Sequence, residues 1–332
     1  MDLSAKKIIV LCFLFAVSCF LFFLWQGIYL PKERGATEKI FSVKEGQGVK
    51  EITFNLEKEG LIKNQFFFIF YTIISGKVRN LQAGEYLLSP ADSIAKIAQK
   101  IASGDIAKIK VTIPEGFTIK QIEEELNTKL TRSVLVNFKT GDFRDEFSFF
   151  EDVPNSASLE GFLFPDTYQF SYRTNIEEIV KKMLDNFNKK LTPDLRKEIS
   201  RQGKTIFEII TMASLIEKEV KTFEDKKLVS GILWKRLENG IPLQVDATIT
   251  YITGKKITKI SNEETKIDSP YNTYKYQGLP PGPICNPGLE SIKAALYPKD
   301  SEYFYYLSTS EGKTIFSKTL EAHNLAKARY LK

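Results

Sequence analysis

Hydrophobic and polar positions divide the chain into segments of different period. The first segment has no period at all. After Lys6 and Lys7, residues 8–25 (IIVLCFLFAVSCFLFFLW) carry no charge, and Gly27–Leu30 continue the run to Pro31. At about 1.5 Å rise per residue such a helix crosses most of a hydrocarbon layer about 30 Å thick. Trp25 and Tyr29 stand where interfacial aromatics collect. The pattern predicts a cytoplasmic tail over 1–7, a transmembrane helix over 8–30 and a tether over 31–38, with the preceding lysines favouring an inside amino terminus. A cleaved signal peptide would have a shorter apolar region, about 7–15 residues, and a small-residue cleavage site. A lipid-attachment cysteine at Cys19 would lead into a polar tether, not into Phe20–Trp25.

Residues 39–110 read as a small α/β module. A weak internal repeat relates VKEGQGVKEITFNLEK (43–58) to TIPEGFTIKQIEEELN (112–127). Each copy predicts a short strand, a Glu-Gly turn and a helix with apolar residues at helical spacing. Between them, NQFFFIFYTIISG (64–76) predicts a buried helix and AGEYLLSP (83–90) a strand. DSIAKIAQKIASGD (92–105) predicts an amphipathic helix capped by Asp92 or Ser93. Such units suit a carbohydrate-binding module and equally a spacer that orients the next domain.

Residues 111–332 read as a larger α+β domain. Helical periodicity covers 175–191, 204–220, 225–240 and 288–298, with a final helix at the carboxyl end. YFYYLST (303–309) predicts a strand whose aromatics pack in the core. In IPLQVDATITY (241–251), Leu243, Val245, Ala247, Ile249 and Tyr251 alternate with Gln244, Asp246, Thr248 and Thr250, which predicts a strand with one polar face. SPYNTYKYQGLPPGPICNPG (269–288) holds five prolines, whose fixed φ angles predict a rigid loop.

One charged position breaks the helical pattern. On a wheel at about 100° per residue, Ile206, Ile209, Ile210, Ala213, Ile216 and Val220 share a side, while Glu208, Thr211, Lys218 and Glu219 share the other. Glu217 falls among the apolar group, and Glu219 sits where a surface glutamate should. A carboxyl held among apolar neighbours has its charged form desolvated and its pKa raised, which fits it to donate a proton near neutrality. Small Ala213 and Ser214 on the preceding turn would leave room for a substrate. The competing reading is a buried ion pair with a Lys or Arg.

Composition narrows the chemistry. The 332 residues, 43% hydrophobic and 27% charged, are enough for two compact domains. The net charge of +6 suits an anionic membrane or wall and is not gathered into the basic patches that nucleic acid requires. Cys12 and Cys19 lie in the apolar span, leaving Cys285 alone outside it, and His323 is the one histidine. A His/Cys zinc site and a Ser–His–Asp triad are therefore disfavoured. Carboxylates, hydroxyls, tyrosines and lysines remain.

ASLIEKEV (213–220), GFLFPDTY (161–168), LQVDATITY (243–251) and SPYNTYKYQGLPPGPICNPG (269–288) together resemble the YceG-like family of endolytic murein transglycosylases. The resemblance covers nearly the whole chain. VDA at 245–247 departs from the family's frequent Ser-Asp-Pro but keeps Asp246. The resemblance implies a LysM-like module over 39–110, and a catalytic domain over 111–332 in which the proline-rich loop walls a sugar groove. It also implies non-hydrolytic cleavage of the β-1,4 bond between N-acetylmuramic acid and N-acetylglucosamine within glycan strands, leaving a 1,6-anhydro end. Glu217 would be the acid/base. Gln244, Asp246, Tyr271, Asn272, Thr273, Tyr274, Gly278, Leu279, Pro280, Pro281 and Asn286 would bind the sugars, with no cofactor and no metal. The implied setting is the bacterial plasma membrane, a single pass with the catalytic domain outside, and synthases as candidate partners. Two alternatives stay open: a non-catalytic wall-binding anchor, and a hydrolytic muramidase with Asp246 as its second carboxylate.

Overall fold

The computed structural model describes residues 3–130, 137–172, 174–255, 260–309 and 311–330. It divides into two compact units, one of Met1–Ile109 with Gln169–Thr174, the other of Lys110–Tyr168 with Asn175–Lys332.

The first unit begins with helix α1 (Leu3–Tyr29), whose stretch Lys6–Tyr29 is long and apolar enough to cross a membrane. Strand β1 (Lys39–Val43), helices α2 (Val49–Lys58) and α3 (Gln65–Ile74) and strand β2 (Gly84–Leu88) follow, then helix α4 (Ile94–Ser103). β1 and β2 pair antiparallel with Phe41 opposite Tyr86. Phe41, Val43, Tyr86 and Leu88 turn one face onto Ile52 and Leu56 of α2, Phe68 of α3 and Ile97 and Ile101 of α4, forming one apolar core. Local sequence sets the helix starts: Asn64 caps α3 through Phe66 N–H, and Ser93 caps α4 through Lys96 N–H. Asp92 instead pairs with Lys96 and Lys100. The helix expected to be buried at 64–76 forms as α3, but only Phe68 and Thr72 are fully buried, and Phe66, Ile73 and Ile74 face outward.

Strand β3 (Lys108–Thr112), which runs across the boundary of the two units, and helix α5 (Ile119–Leu130) of the second unit complete the second copy of the repeat. Strand β4 (Thr167–Ser171) pairs with β3. Helices α6 (Ile176–Lys190), α7 (Pro193–Arg201), α8 (Ile206–Glu219) and α9 (Phe223–Glu238) come next, each capped by an Asn or Thr side chain: Asn175, Thr192, Thr205 and Thr222. Thr205 and Glu208 form a full capping box. α8 is buried on every side from Ile209 to Ile216. Helix α10 (Asp246–Thr253) replaces the strand expected over 241–251. Residues 269–288 contain no helix or strand. Helix α11 (Leu289–Leu296), a hairpin of β5 (Tyr305–Ser308) with β6 (Thr314–Ser317), and helix α12 (Leu320–Tyr330) finish the unit. α11 packs against both α8 and α9, and the Trp234 indole donates to Ala295 O at 2.9 Å across that contact. His323 lies buried in α12, its ring stacked on Tyr305, and burial lowers its pKa to about 4.

Candidate active site

Glu217 does not sit in apolar surroundings. Its carboxylate accepts from Ser291 Oγ at 2.6 Å and Gly288 N–H at 3.0 Å, and Lys226 Nζ lies 3.4 Å from both oxygens. The side chains of Glu217 and Lys226 are only 9% and 4% exposed. The reason is convergence: α8 brings Glu217, α9 brings Lys226, and the start of α11 presents the Gly288 N–H and the Ser291 hydroxyl. The space expected beside Ala213 and Ser214 is occupied. Both are fully buried, Ile284 N–H donates to Ser214 Oγ at 3.0 Å, and Cys285 Sγ donates to Ser214 O at 3.3 Å. This is the geometry of a structural ion pair, the competing reading of the sequence.

Two residues on, Glu219 has the protonation behaviour expected of Glu217. Burial, and then the charge of Asp246, push its carboxyl up to about 7, against hydrogen bonds from Tyr306 and the Ala247 N–H. Glu219 is the last residue of α8, where the negative helix pole also disfavours a carboxylate. α10 begins at Asp246, so the end of α8 meets the start of α10. The Tyr274 hydroxyl donates to Asp246 Oδ1. Burial and the charge of Asp246 raise the Tyr274 phenol, and burial and the charge of Glu219 raise that of Tyr306. Tyr306, expected to serve packing, thus joins the site, and Glu219, expected on the surface, stands at its centre.

The wheel missed Glu219 because it separates the faces of a helix without saying whether the second face is covered. Thr211 and Ser214, on or near the polar side, are as buried as the isoleucines. That polar yet uncharged stretch was the available signal that α8 is covered on all sides between Ile209 and Ile216.

The remaining predicted site residues fall into two groups. Gln244, Asp246 and Pro281 are exposed, and Tyr274, Gly278 and Leu279 are half-buried. Gln244 has φ +52°, an uncommon conformation for a residue with a side chain, held by Gln244 N–H to Thr273 O at 3.0 Å and by Arg236 donating to Gln244 Oε1 at 2.8 Å. The second group faces inward. Asn272 Nδ2 donates to Thr265 O and Ile267 O, Thr273 Oγ1 accepts from Val245 N–H at 2.9 Å, Pro280 is buried, and Tyr271 packs on Tyr251. Asn286 Oδ1 accepts from Gly161 and Leu163 N–H, and its Nδ2 donates to Phe117 O and Glu160 Oε1. Glu160 is 4% exposed, accepts from Ile119 N–H at 3.0 Å, and is pushed by burial to about 8. These polar groups brace the proline-rich segment instead of facing a ligand.

Glu219, pushed up to about 7 by burial and the Asp246 charge, thus lies beside a second carboxylate and two phenols, an arrangement suited to acid–base chemistry by carboxyl groups. The YceG-like family model matches residues 41–329, and the chain belongs to that family. It is 33% identical over 327 residues to a Bacillus subtilis protein named endolytic murein transglycosylase, covering 93% of this chain and 90% of the relative. A Streptococcus pneumoniae protein of the same name is 33% identical over 315 residues, 85% of this chain but 56% of that longer relative. A crystal structure of a yceG-like protein from Listeria monocytogenes superposes with a TM-score of 0.61 at 32% identity, covering 88% of this chain and all of that one.

Proposed function

We propose that the chain is a membrane-anchored endolytic lytic transglycosylase of peptidoglycan, with Glu219 as its single general acid/base. The name carried by its relatives supports the reaction class, and the Glu219 carboxyl at about 7 carries the chemistry. Protonated Glu219 donates its proton to the glycosidic oxygen as the bond from the muramyl anomeric carbon breaks. The resulting carboxylate then takes the proton of the muramyl C6 hydroxyl as that oxygen bonds to the anomeric carbon. No water is consumed, and Glu219 ends as it began. Asp246, held by Tyr274, keeps the Glu219 proton in place and offers negative charge to an oxocarbenium-like transition state. Gln244, Tyr274, Gly278, Leu279 and Pro281 form the sugar-facing wall, while Asn272, Thr273 and Asn286 keep that wall rigid.

In this proposal Glu217 has a framework role. The Lys6–Tyr29 helix anchors the protein in the plasma membrane with residues beyond the tether outside, where it ends nascent strands beside the synthases. The LysM-like module at 39–110 engages glycan.

One observation favours a second reading. Asp246 lies close enough to raise the Glu219 pKa, and two carboxyls are what a hydrolase uses to direct water. Mass spectrometry of products from purified glycan strands and the full-length protein decides among the candidates. The proposal expects anhydro ends, lighter by one water than hydrolytic ends. Reducing ends would establish a muramidase, and uncut strands a binding anchor.

A further inference from the structure

Helix α3 carries no charged residue, yet its apolar side chains are not spent on the core. Phe66, Ile73 and Ile74 are 52%, 59% and 61% exposed, and half-buried Phe70 stacks on Phe66 at 5.9 Å. Positions 66, 70, 73 and 74 fall along one stripe at helical spacing. A contiguous exposed stripe of this kind marks an interaction surface, and an apolar helix of ten residues is too short to span a bilayer but long enough to lie in its interface.

Its neighbours identify the occupant. The adjoining flank of α3 packs against the last turns of α1: Phe67 lies on Phe23 at 5.2 Å, fills the space above Gly27, and Tyr71 meets Tyr29 edge-on at 6.4 Å. Leu24 and Ile28 are buried, whereas the earlier apolar residues of α1 are exposed. With Lys6 and Lys7 at one surface, about 20 residues of helix cross the hydrocarbon, so residues 23–29 lie at its far edge. Anything packed there shares that depth. Lys63, Lys77 and Arg79 flank α3, and Lys77 Nζ sits 5.6 Å from the Tyr71 ring centre. A basic, aromatic rim around an apolar stripe matches the layering of a lipid interface.

We propose that α3 is a second membrane-contact element, its Phe66–Phe70–Ile73–Ile74 stripe resting among the lipids beside the outer end of α1. This rests on the reading of α1 as a membrane anchor. It fixes the first unit against the bilayer surface instead of letting it swing on a tether.

The test is spin-label accessibility in the full-length protein reconstituted into vesicles of phosphatidylcholine with phosphatidylglycerol. Cys285 is buried and stays. One variant, Cys12→Ala, keeps Cys19 as the label site within α1. The others carry Cys12→Ala and Cys19→Ala with Ile74→Cys, Phe66→Cys or, as an exposed polar reference, Lys50→Cys. The expected result is preferential collision with oxygen over a water-soluble nickel complex at 19, 66 and 74, with an oxygen-to-nickel ratio several-fold above that at 50. A lipid signature at 19 with a water signature at 66 and 74 overturns the proposal and leaves the anchor intact. A water signature at 19 overturns the anchor and the proposal together. Exclusion of both reagents at 74, with dipolar broadening between labels, would replace the lipid with a second copy and also overturn it.

Discussion

The two glutamates of IEKE sit two residues apart and meet opposite environments. Glu217 is met by an ammonium, a hydroxyl and a helix N-terminus; Glu219 is met by a carboxylate, a phenol and one backbone N–H. At Glu219, burial and then the Asp246 charge outweigh the bonds from Tyr306 and the Ala247 N–H, and the carboxyl is pushed up to about 7. The proposed mechanism uses Glu219 in its protonated form, so it predicts that activity falls as pH rises through about 7. Removing the Asp246 charge lowers the Glu219 pKa, so Asp246→Asn should move that basic limb to lower pH. Tyr306→Phe removes a bond that favours the ionised form and should move it to higher pH. Profiles of kcat/KM for the two variants should therefore separate in opposite directions, and a common direction would contradict the arrangement. Glu217→Gln strands the buried Lys226 ammonium and should cost about 3 kcal/mol of stability. A thermal or urea unfolding curve measures this, and the double change with Lys226→Met should cost less than the two single losses added. The sequence showed that an acid in this helix was unusual, but not how the two differ, because that depends on α9, α10, α11 and β5, which meet α8 only in the folded chain.

At the scale of elements, most helices were legible because their caps and apolar spacing are local. Asn64, Ser93, Asn175, Thr192, Thr205 and Thr222 each do what their side-chain chemistry allows at a helix start. The stretch 243–251 was misread because alternation and its β-branched residues imitate a strand. Local and tertiary bonds together override that preference: Thr248 Oγ1 donates to Val245 O at 2.8 Å, Thr273 Oγ1 accepts from Val245 N–H at 2.9 Å and lies 3.1 Å from Thr248 Oγ1, and Gly254 ends the helix at φ +67°. The outward stripe of α3 was also hidden, since a buried helix and an interfacial one share the same composition. The Glu160–Asn286 brace leads to a pH prediction. The Glu160 carboxyl is raised from 4.5 to about 8, so between those values the unfolded chain loses a proton that the folded chain keeps. Its stabilising contribution is complete below pH 4.5 and declines as pH rises toward 8. Glu160→Gln cannot titrate, so its unfolding free energy should vary less steeply over that window; an unchanged slope would show that Glu160 is ionised in the fold.

At the scale of the whole molecule, the apolar amino terminus, the net charge and the order of motifs were legible because they need no three-dimensional contact. The anchoring account predicts that protease added to spheroplasts degrades the chain beyond the tether and leaves a short fragment containing Lys6–Tyr29. Full protection would reverse the orientation. Everything else in the functional account converges on one carboxyl where α8 ends and α10 begins. The most direct measurement is a product mass spectrum from glycan strands treated with full-length Glu219→Gln and, in parallel, Glu217→Gln at a temperature where both are folded. The account predicts that Glu219→Gln yields no anhydro-ended fragments while Glu217→Gln still yields them. Anhydro ends from Glu219→Gln, with none from Glu217→Gln, would contradict it and return the acid's role to Glu217.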